Sequence, residues 1–399
     1  MRKLQVLLLT LLVVAAAAGV AQYLRPVPSL GVVSTLPSRI RIPGTPPHLP
    51  WPRIGQAAVE VVGTGSLGAV GGSTPEPIGS VAKVMTALIV LRDHPLSPGA
   101  AGPTLAMTAA DAAMYRADRA GQQSVVPVAA GEHLTELQLL EGLLIPSGNN
   151  LATILARWDA GSQAAFVAKM NAMAARLGLG HTHYADASGL SPASVSTASD
   201  QVRLAAVAMQ NATFASIVGE PQVTLPLAGV TYNVNGLVTH DGVVGVKTGS
   251  TPQAGGCFVF AAKRVVSGHH VLLIGAVLGQ GGLSVLTTAL DAGRSLLDAA
   301  SRALTVATVV PADGAVAQVT VPWGHPLAVA APRAVTVVGW PGLVVRAHLA
   351  TARLGRTLGA GTPVGVLHIT AGTTPVAAET LRAPAAVRGP SLRWRLTRP

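Results

Sequence analysis

The sequence contains one cysteine, Cys257, among 399 residues. A single thiol excludes an intramolecular disulfide framework and any zinc site built on cysteine ligands. It lies in the apolar run Cys257-Phe258-Val259-Phe260, where it reads as a small core residue. Charge is scarce as well: 11% of residues are charged against 49% hydrophobic, which excludes disorder as the dominant state. The 44 glycines and 29 prolines follow no fixed period, so a collagen-like or simple repeat architecture is excluded. Lysine is rare, five against 23 arginines, a bias of the kind genome composition produces, and each remaining lysine is informative.

The net charge of +11 is unevenly placed. Residues 301–399 carry ten arginines and only Asp313 and Glu379, a net of +8. Such a tail suits an anionic polymer or a lipid surface. No lysine-rich stripe, zinc finger or aromatic-basic RNA motif accompanies it, so nucleic acid is not expected as a partner.

Met1-Arg2-Lys3 followed by the apolar run Leu4 to Val20 reads as an export signal. Leu4 to Leu24 also has the length of a membrane span, so residues 1–24 are expected to be a signal peptide or a membrane anchor, with the body extracytoplasmic. Eight prolines in residues 25–53 predict an extended spacer. Residues 54–300 mix strand and helix patterns. Strands are expected at 56–62, 243–248, 257–263 and 271–278, and helices at 80–91, 134–144, 150–158, 164–177 and 283–300. Residues 304–399 show short Val/Thr/Ala strands broken by Pro, Gly and Asp, which predicts a small separate β-domain whose Arg393-Trp394-Arg395 tail ends a strand.

Three short motifs carry chemistry. In Ser80-Val81-Ala82-Lys83 the i, i+3 spacing brings hydroxyl and amine onto one face of a buried helix. A serine needs a base to become a nucleophile, and a lysine is that base only when neutral, which burial and a second cation promote. The helix start supplies backbone N–H donors for a developing oxyanion. In Ser147-Gly148-Asn149 a hydroxyl and an amide share a tight turn, one suited to relaying a proton and the other to holding a peptide carbonyl. In Lys247-Thr248-Gly249 a cation and a hydroxyl suit a terminal carboxylate, and Gly249 leaves room for a substrate along the strand edge. Together, in this order and 64 and 100 residues apart, they match the set shared by penicillin-binding proteins and class A β-lactamases.

The chain from about Trp51 to Ala300 resembles the D-alanyl-D-alanine carboxypeptidases, the low-molecular-mass penicillin-binding proteins, in an actinobacterial style. The resemblance is carried by Pro77 to Ala87, Gly131-Glu132-His133-Leu134-Thr135, Ser147 to Ala152, Ser188-Gly189-Leu190, Asn235-Gly236-Leu237 and Gly245 to Gly249. It implies an α/β fold of the β-lactamase/transpeptidase type: a three-layer domain with a mainly antiparallel sheet flanked by helices, plus a small C-terminal β-rich domain. It also implies that Ser80 is acylated, that Lys83 is its base and Ser147 the proton relay, and that Asn149 holds the substrate amide. Lys247 and Thr248 would bind the terminal carboxylate, with the backbone N–H groups of Ser80 and Ser250 as the oxyanion hole. The implied partners are a peptidoglycan stem peptide ending in D-Ala-D-Ala and β-lactams as covalent inhibitors, with no metal and no cofactor. A membrane or an anionic wall polymer is a further expected partner, through the N-terminal segment and the basic tail. Gly79 and Ala82 stand where Ala and Thr are common, and Leu151 where Asp is frequent, which bears on substrate preference.

Two readings compete. A class A-like β-lactamase activates its deacylating water with a glutamate between the second and third motifs. The only acidic residues from 150 to 246 are Asp159, Asp186, Asp200, Glu220 and Asp241, and Glu220 lacks the expected Glu-x-x-x-Asn pattern. A catalytically retired wall-binding protein would not be expected to keep Ser80, Lys83, Ser147 and Lys247. The pair His181 and His183 superficially resembles a zinc run but has no third ligand in pattern.

Overall fold

A hairpin pair organises the larger half of the chain. In the computed structural model, which describes residues 2–398, the strands Val243–Thr251, Gly255–Val266 and His269–Gln280 run consecutively antiparallel. Ser267 and Gly268, with φ of +47° and +83°, close the second hairpin with two residues in the left-handed region, the turn whose twist matches paired strands. Met1 and Pro399, the outermost residues of the expected leader and tail, lie outside the described residues. Gln56–Val61 and Gly65–Val70 complete a five-stranded antiparallel sheet, with 243–251 on one edge and 65–70 on the other.

Residues 257–262 are buried on both faces, so they read as a continuous apolar run instead of an alternating one. Phe258 and Phe260 meet the helix Val285–Ala303 at Gly293, where a side chain would collide with the Phe258 ring. Cys257, Val259 and Ala261 face the opposite way into the main core. There the helix Lys83–Asp93 is enclosed by Glu136–Leu144, Asn149–Ala160, Gln163–Arg176 and Ala198–Ala208. The result is helix, sheet and helical cluster in three layers.

The expected elements occur with adjusted ends. Ser80 lies on a 3-10 turn, Gly79–Ala82, that precedes the helix proper. Residues 133–135 form a short strand, and Thr135 then caps the following helix reciprocally with Gln138. The helices Ala109–Ala120 and Ala212–Val218 were not expected; the first is amphipathic and opens on a reciprocal cap between Thr108 and Asp111, and the second spans only seven residues.

The chain divides into two compact units, Pro47–Thr305 and a second made of residues up to Pro46 together with Val306 onward. The proline-rich segment is therefore not the spacer expected for residues 25–53. Gly31–Ser34 pairs with Ala315–Thr320, and Arg39–Arg41 pairs with Val344–Thr351. Leu30 and Ile42 are 3% exposed and join the second unit's core with Val310, Val319, Val345 and Leu367. Proline is tolerated because it falls between these strands, where no ladder N–H is required. Leu49 is buried at 1% exposure and the Trp51 ring covers Gly68, so the first unit starts ahead of Ile54. The tail is also corrected: Leu392–Thr397 is a short helix capped by Ser391, not a strand end. It docks on the N-terminal helix Arg2–Leu24, with the Arg395 guanidinium 4.5 Å from the Tyr23 ring centre and Arg398 donating to the Arg25 carbonyl at 2.7 Å. That N-terminal helix is long and apolar enough to cross a membrane.

Burial of Leu30 and Ile42 contributes about 1.5–3 kcal/mol each, and the strands they flank, Gly31–Ser34 and Arg39–Arg41, form the edges of two sheets. A chain starting at Pro47 should therefore lose the cooperative unfolding of residues 306–398, whereas one starting at Arg25 should keep it. Limited proteolysis and calorimetry of the two chains check this, and equal protection of the tail in both would contradict it.

Candidate active site

The Ser80 turn and Lys83 are held by their own geometry. In a 3-10 turn residues i and i+3 eclipse, and Lys83 Nζ lies 2.7 Å from Ser80 Oγ. Lys83 is fully buried, while Ser80 keeps partial access to solvent. The same Nζ lies 3.2 Å from Ser147 Oγ and 2.6 Å from Asn149 Oδ1. Residues 64 and 66 positions apart thus converge on one amine. Ser147 sits at φ +69°, a left-handed conformation unusual for serine and costing about 1–3 kcal/mol. It ends the loop after Glu136–Leu144 and turns the chain into Asn149–Ala160, whose first residue is Asn149.

Burial drives the Lys83 amine well below the usual lysine range, the nearby Lys247 cation adds to this, and Asp186 opposes it. Lys247 is brought down to about 7 by burial. Neither has an ion-pair partner among the described residues.

The strand Val243–Thr251 is the sheet edge that faces the Ser80 turn. Thr248, Gly249 and Ser250 line a cleft with Ser80, Ser147 and Ser124, closed by Val234 and Leu286. Lys247 stands behind the cleft, with Nζ donating to the Thr248 carbonyl at 3.1 Å. Gly249 has a different reason from the one expected. A Cβ there would come within 2.9 Å of Ile78 O and of Ser80 N, so glycine lets the strand touch the Ser80 turn. A side chain at Gly79 would lie 3.2 Å from Ser250 N, which sets the Ser250 amide against the same turn.

Several supporting residues escaped the sequence reading. Gln123 Oε1 accepts from Asn149 Nδ2 at 2.9 Å, which orients Asn149 Oδ1 toward Lys83. The Gln123-Ser124 loop is stapled to the Asn149 helix, where Asn150 donates to Val126 O at 2.8 Å and accepts from Val126 N at 3.0 Å. Their only signal in sequence was a polar run before Val125-Val126-Pro127. Asp186 accepts from Ser188 Oγ, Ser194 Oγ and the Leu190 N–H, shaping a loop that Thr86 ties to the Ser80 helix through Ala187 O at 2.7 Å. His181 and His183 take part through their backbones, with His181 N donating to Asp200 and His183 bridging Val195.

The profile of the family described as D-alanyl-D-alanine carboxypeptidase matches residues 68–281. A D-alanyl-D-alanine carboxypeptidase of Streptomyces sp. is 36% identical over 208 residues, 48% of this chain and 69% of the relative. One from Mycobacterium tuberculosis is 38% identical over 210 residues, covering 51% and 67%. The crystal structure of a Streptomyces DD-transpeptidase superimposes with a TM-score of 0.55 at 30% identity, over 62% of this chain and 98% of that one. Penicillin binding protein 5 of Haemophilus influenzae, at 20% identity, shares the fold over 86% of this chain and 100% of its own, with a TM-score of 0.61.

The close approach at Gly249 makes a specific demand. Gly249→Ala should destabilise the protein by about 1–3 kcal/mol in urea denaturation, because backbone must move. Gly236→Ala, where a methyl meets nothing within 4 Å, should change it by less than about 0.5 kcal/mol. Equal effects would mean that the strand does not press on the turn.

Proposed function

We infer the chemistry from the premise that the chain belongs to the serine-type D-alanyl-D-alanine carboxypeptidase family. It is a hydrolase that removes the terminal D-Ala from peptidoglycan stem peptides, and family members bind β-lactams. The observation that carries our residue assignment is the set of three neighbours around Lys83 Nζ. A neutral amine has two N–H donors and one lone pair. Ser147 Oγ and Asn149 Oδ1 take the donors, and the lone pair is left for the Ser80 O–H.

In this reading Ser80 Oγ attacks the carbonyl of the penultimate D-Ala while its proton passes to Lys83. The tetrahedral oxyanion is held by the Ser80 and Ser250 N–H groups. Lys83 returns the proton through the Ser147 hydroxyl to the departing amine, the peptide C–N bond breaks, and D-Ala leaves. Water then attacks the Ser80 ester while Lys83 takes its proton; the acyl C–Oγ bond breaks, Lys83 returns the proton to Ser80 Oγ, and the acid is released. Lys247 and Thr248 bind the terminal carboxylate, Gly249 holds the strand on the Ser80 turn, and Asn149 positions Lys83 and, once Gln123 yields, the substrate amide. A β-lactam enters the same path, but its leaving nitrogen stays tethered in the acyl-enzyme.

Residues 47–305 act as the catalytic domain in this proposal, and the rest of the chain as the basic β-rich unit. The apolar N-terminal helix fits export to the wall side of the membrane, as a signal or an anchor. The basic unit fits contact with an anionic wall polymer or membrane.

Ser80→Ala should abolish D-Ala release by at least about 10⁴-fold and eliminate the benzylpenicillin adduct seen by intact mass, with the melting temperature retained. Release at the wild-type rate would overturn the assignment. The pH profile is a second test. The value of kcat/KM should rise as Lys83 loses its proton and fall as pH climbs past the Lys247 value of about 7, where the carboxylate-binding cation is lost. Lys247→Arg, which stays charged, should carry the alkaline limb upward; an unmoved limb would remove Lys247 from substrate binding.

A further inference from the structure

The chain's excess charge belongs to one unit. Residues up to Pro46 and from Val306 onward contain fourteen basic and two acidic residues, whereas residues 47–305 contain fourteen basic and fifteen acidic. Within the basic unit, three arginines are concentrated by the sheet. In the pairing of Arg39–Arg41 with Val344–Thr351, Arg346 is the direct register partner of Arg39, and Arg41 lies two residues along the same face. All three are exposed, and with Val344 they line a cleft of about 420 Å³.

This arrangement is unfavourable by itself. Like charges directly opposite on neighbouring strands repel, and none of the three has an ion-pair partner among the described residues. The unit's acidic residues do not relieve it: Glu379 is buried and paired with Arg333, and Asp313 lies in a turn of another sheet. Arg41 donates to the Gly342 carbonyl at 3.2 Å, which anchors its guanidinium without neutralising it. The same face continues through His348 on Arg346's own strand and its exposed register partner His368 on the next, and among the described residues it carries no carboxylate.

We propose that Arg39, Arg41 and Arg346 form a binding site for the phosphodiester groups of an anionic polymer. The inference deepens the reading that the basic unit meets an anionic partner, and it names the site and the chemistry. Guanidinium is weakly hydrated and its fork matches phosphate oxygens in pairs. Arg39 and Arg41 are spaced by about 7 Å along their strand, farther than one phosphate spans, so the site engages successive phosphates of a chain. A polymer is favoured over a lipid surface by the lining. Val344 is the cleft's one apolar residue, while the exposed leucines of this unit's C-terminal end, Leu392 and Leu396, lie on the terminal helix.

The test is binding of the full chain in detergent to a fluorescent oligo(glycerol phosphate), read by anisotropy at two salt concentrations. Arg39→Gln/Arg41→Gln/Arg346→Gln should weaken binding at least tenfold. Arg353→Gln/Arg356→Gln/Arg388→Gln, which removes equal charge from elsewhere on the unit, should change it less than twofold. Both variants should keep the wild-type circular dichroism spectrum and the protease resistance of residues 306–398, which certifies the basic unit's fold, and should release D-Ala at the wild-type rate. Equal losses in the two variants would reduce the effect to general charge and overturn the site. Tighter binding to polyglutamate of equal charge would overturn the phosphate assignment. Capture by phosphatidylglycerol vesicles without oligo(glycerol phosphate) binding would assign the cleft to a lipid surface instead. Failure of the wild-type chain to bind any of these probes would overturn the broader anionic-partner reading, leaving the carboxypeptidase assignment untouched.

Discussion

Two lysine amines buried without a carboxylate partner set the terms for the catalytic unit. Lys83 and Lys247 are 0% and 1% exposed, and the cost of an unpaired ammonium in such surroundings lowers the hold of both amines on their protons. The nearby Lys247 cation lowers the tolerance of Lys83 for charge further. What would be a defect in an ordinary core suits the base role we propose for Lys83, whose amine lies 2.7 Å from the Ser80 hydroxyl. The polar atoms that satisfy Lys83 come from the turn at Ser147 and the start of the next helix, so the helical cluster and the Ser80 turn must hold a fixed separation. The strained backbone at Ser147 and the glycine contact of the Thr248 strand are both consequences of that requirement.

The sheet plays the complementary part. Its edge strand has neighbours on one side only, which leaves alternate backbone groups available to a substrate lying alongside. The Lys247 strand is kept from fraying by twofold burial of the adjacent strand 255–266, whose residues 257–262 are all enclosed. Rigid placement of this kind matters because misplacing reacting atoms by about 1 Å can cost about 100-fold in rate. The Gln123 loop and the Asp186 loop contribute no reacting group in the proposed mechanism. They fix the rotamer of Asn149 and the position of the Ser80 helix through buried hydrogen bonds, which gives the two nearest loops a defined shape.

Separation of charge accompanies separation of the units. The catalytic unit is nearly neutral, while the second gathers almost all the excess arginine, including side chains that lie some 300 residues apart in sequence, such as Arg39 and Arg346. A composition count over the tail alone captures only part of this, because the chain contributes two strands to the basic unit before entering the catalytic one.

Local order was legible wherever a residue's role depends on its near neighbours. The three motifs, their order, the apolar leader and the strand patterns at 243–278 follow from side-chain type and spacing, and so does the family resemblance they carry. Contacts across long sequence distance were not legible, because no periodicity encodes them. The proline-rich run looked like a spacer since proline density is a local property, whereas its strands exist only through partners near residues 317 and 345. Gly249 looked like room for a substrate, but its need for a hydrogen side chain comes from the backbone of Ser80, 169 residues earlier. Chemistry-bearing residue types are thus written in the sequence, while the protonation state of Lys83, the orientation of Asn149 and the grouping of three arginines are decided by burial and register, which exist only once the chain has folded.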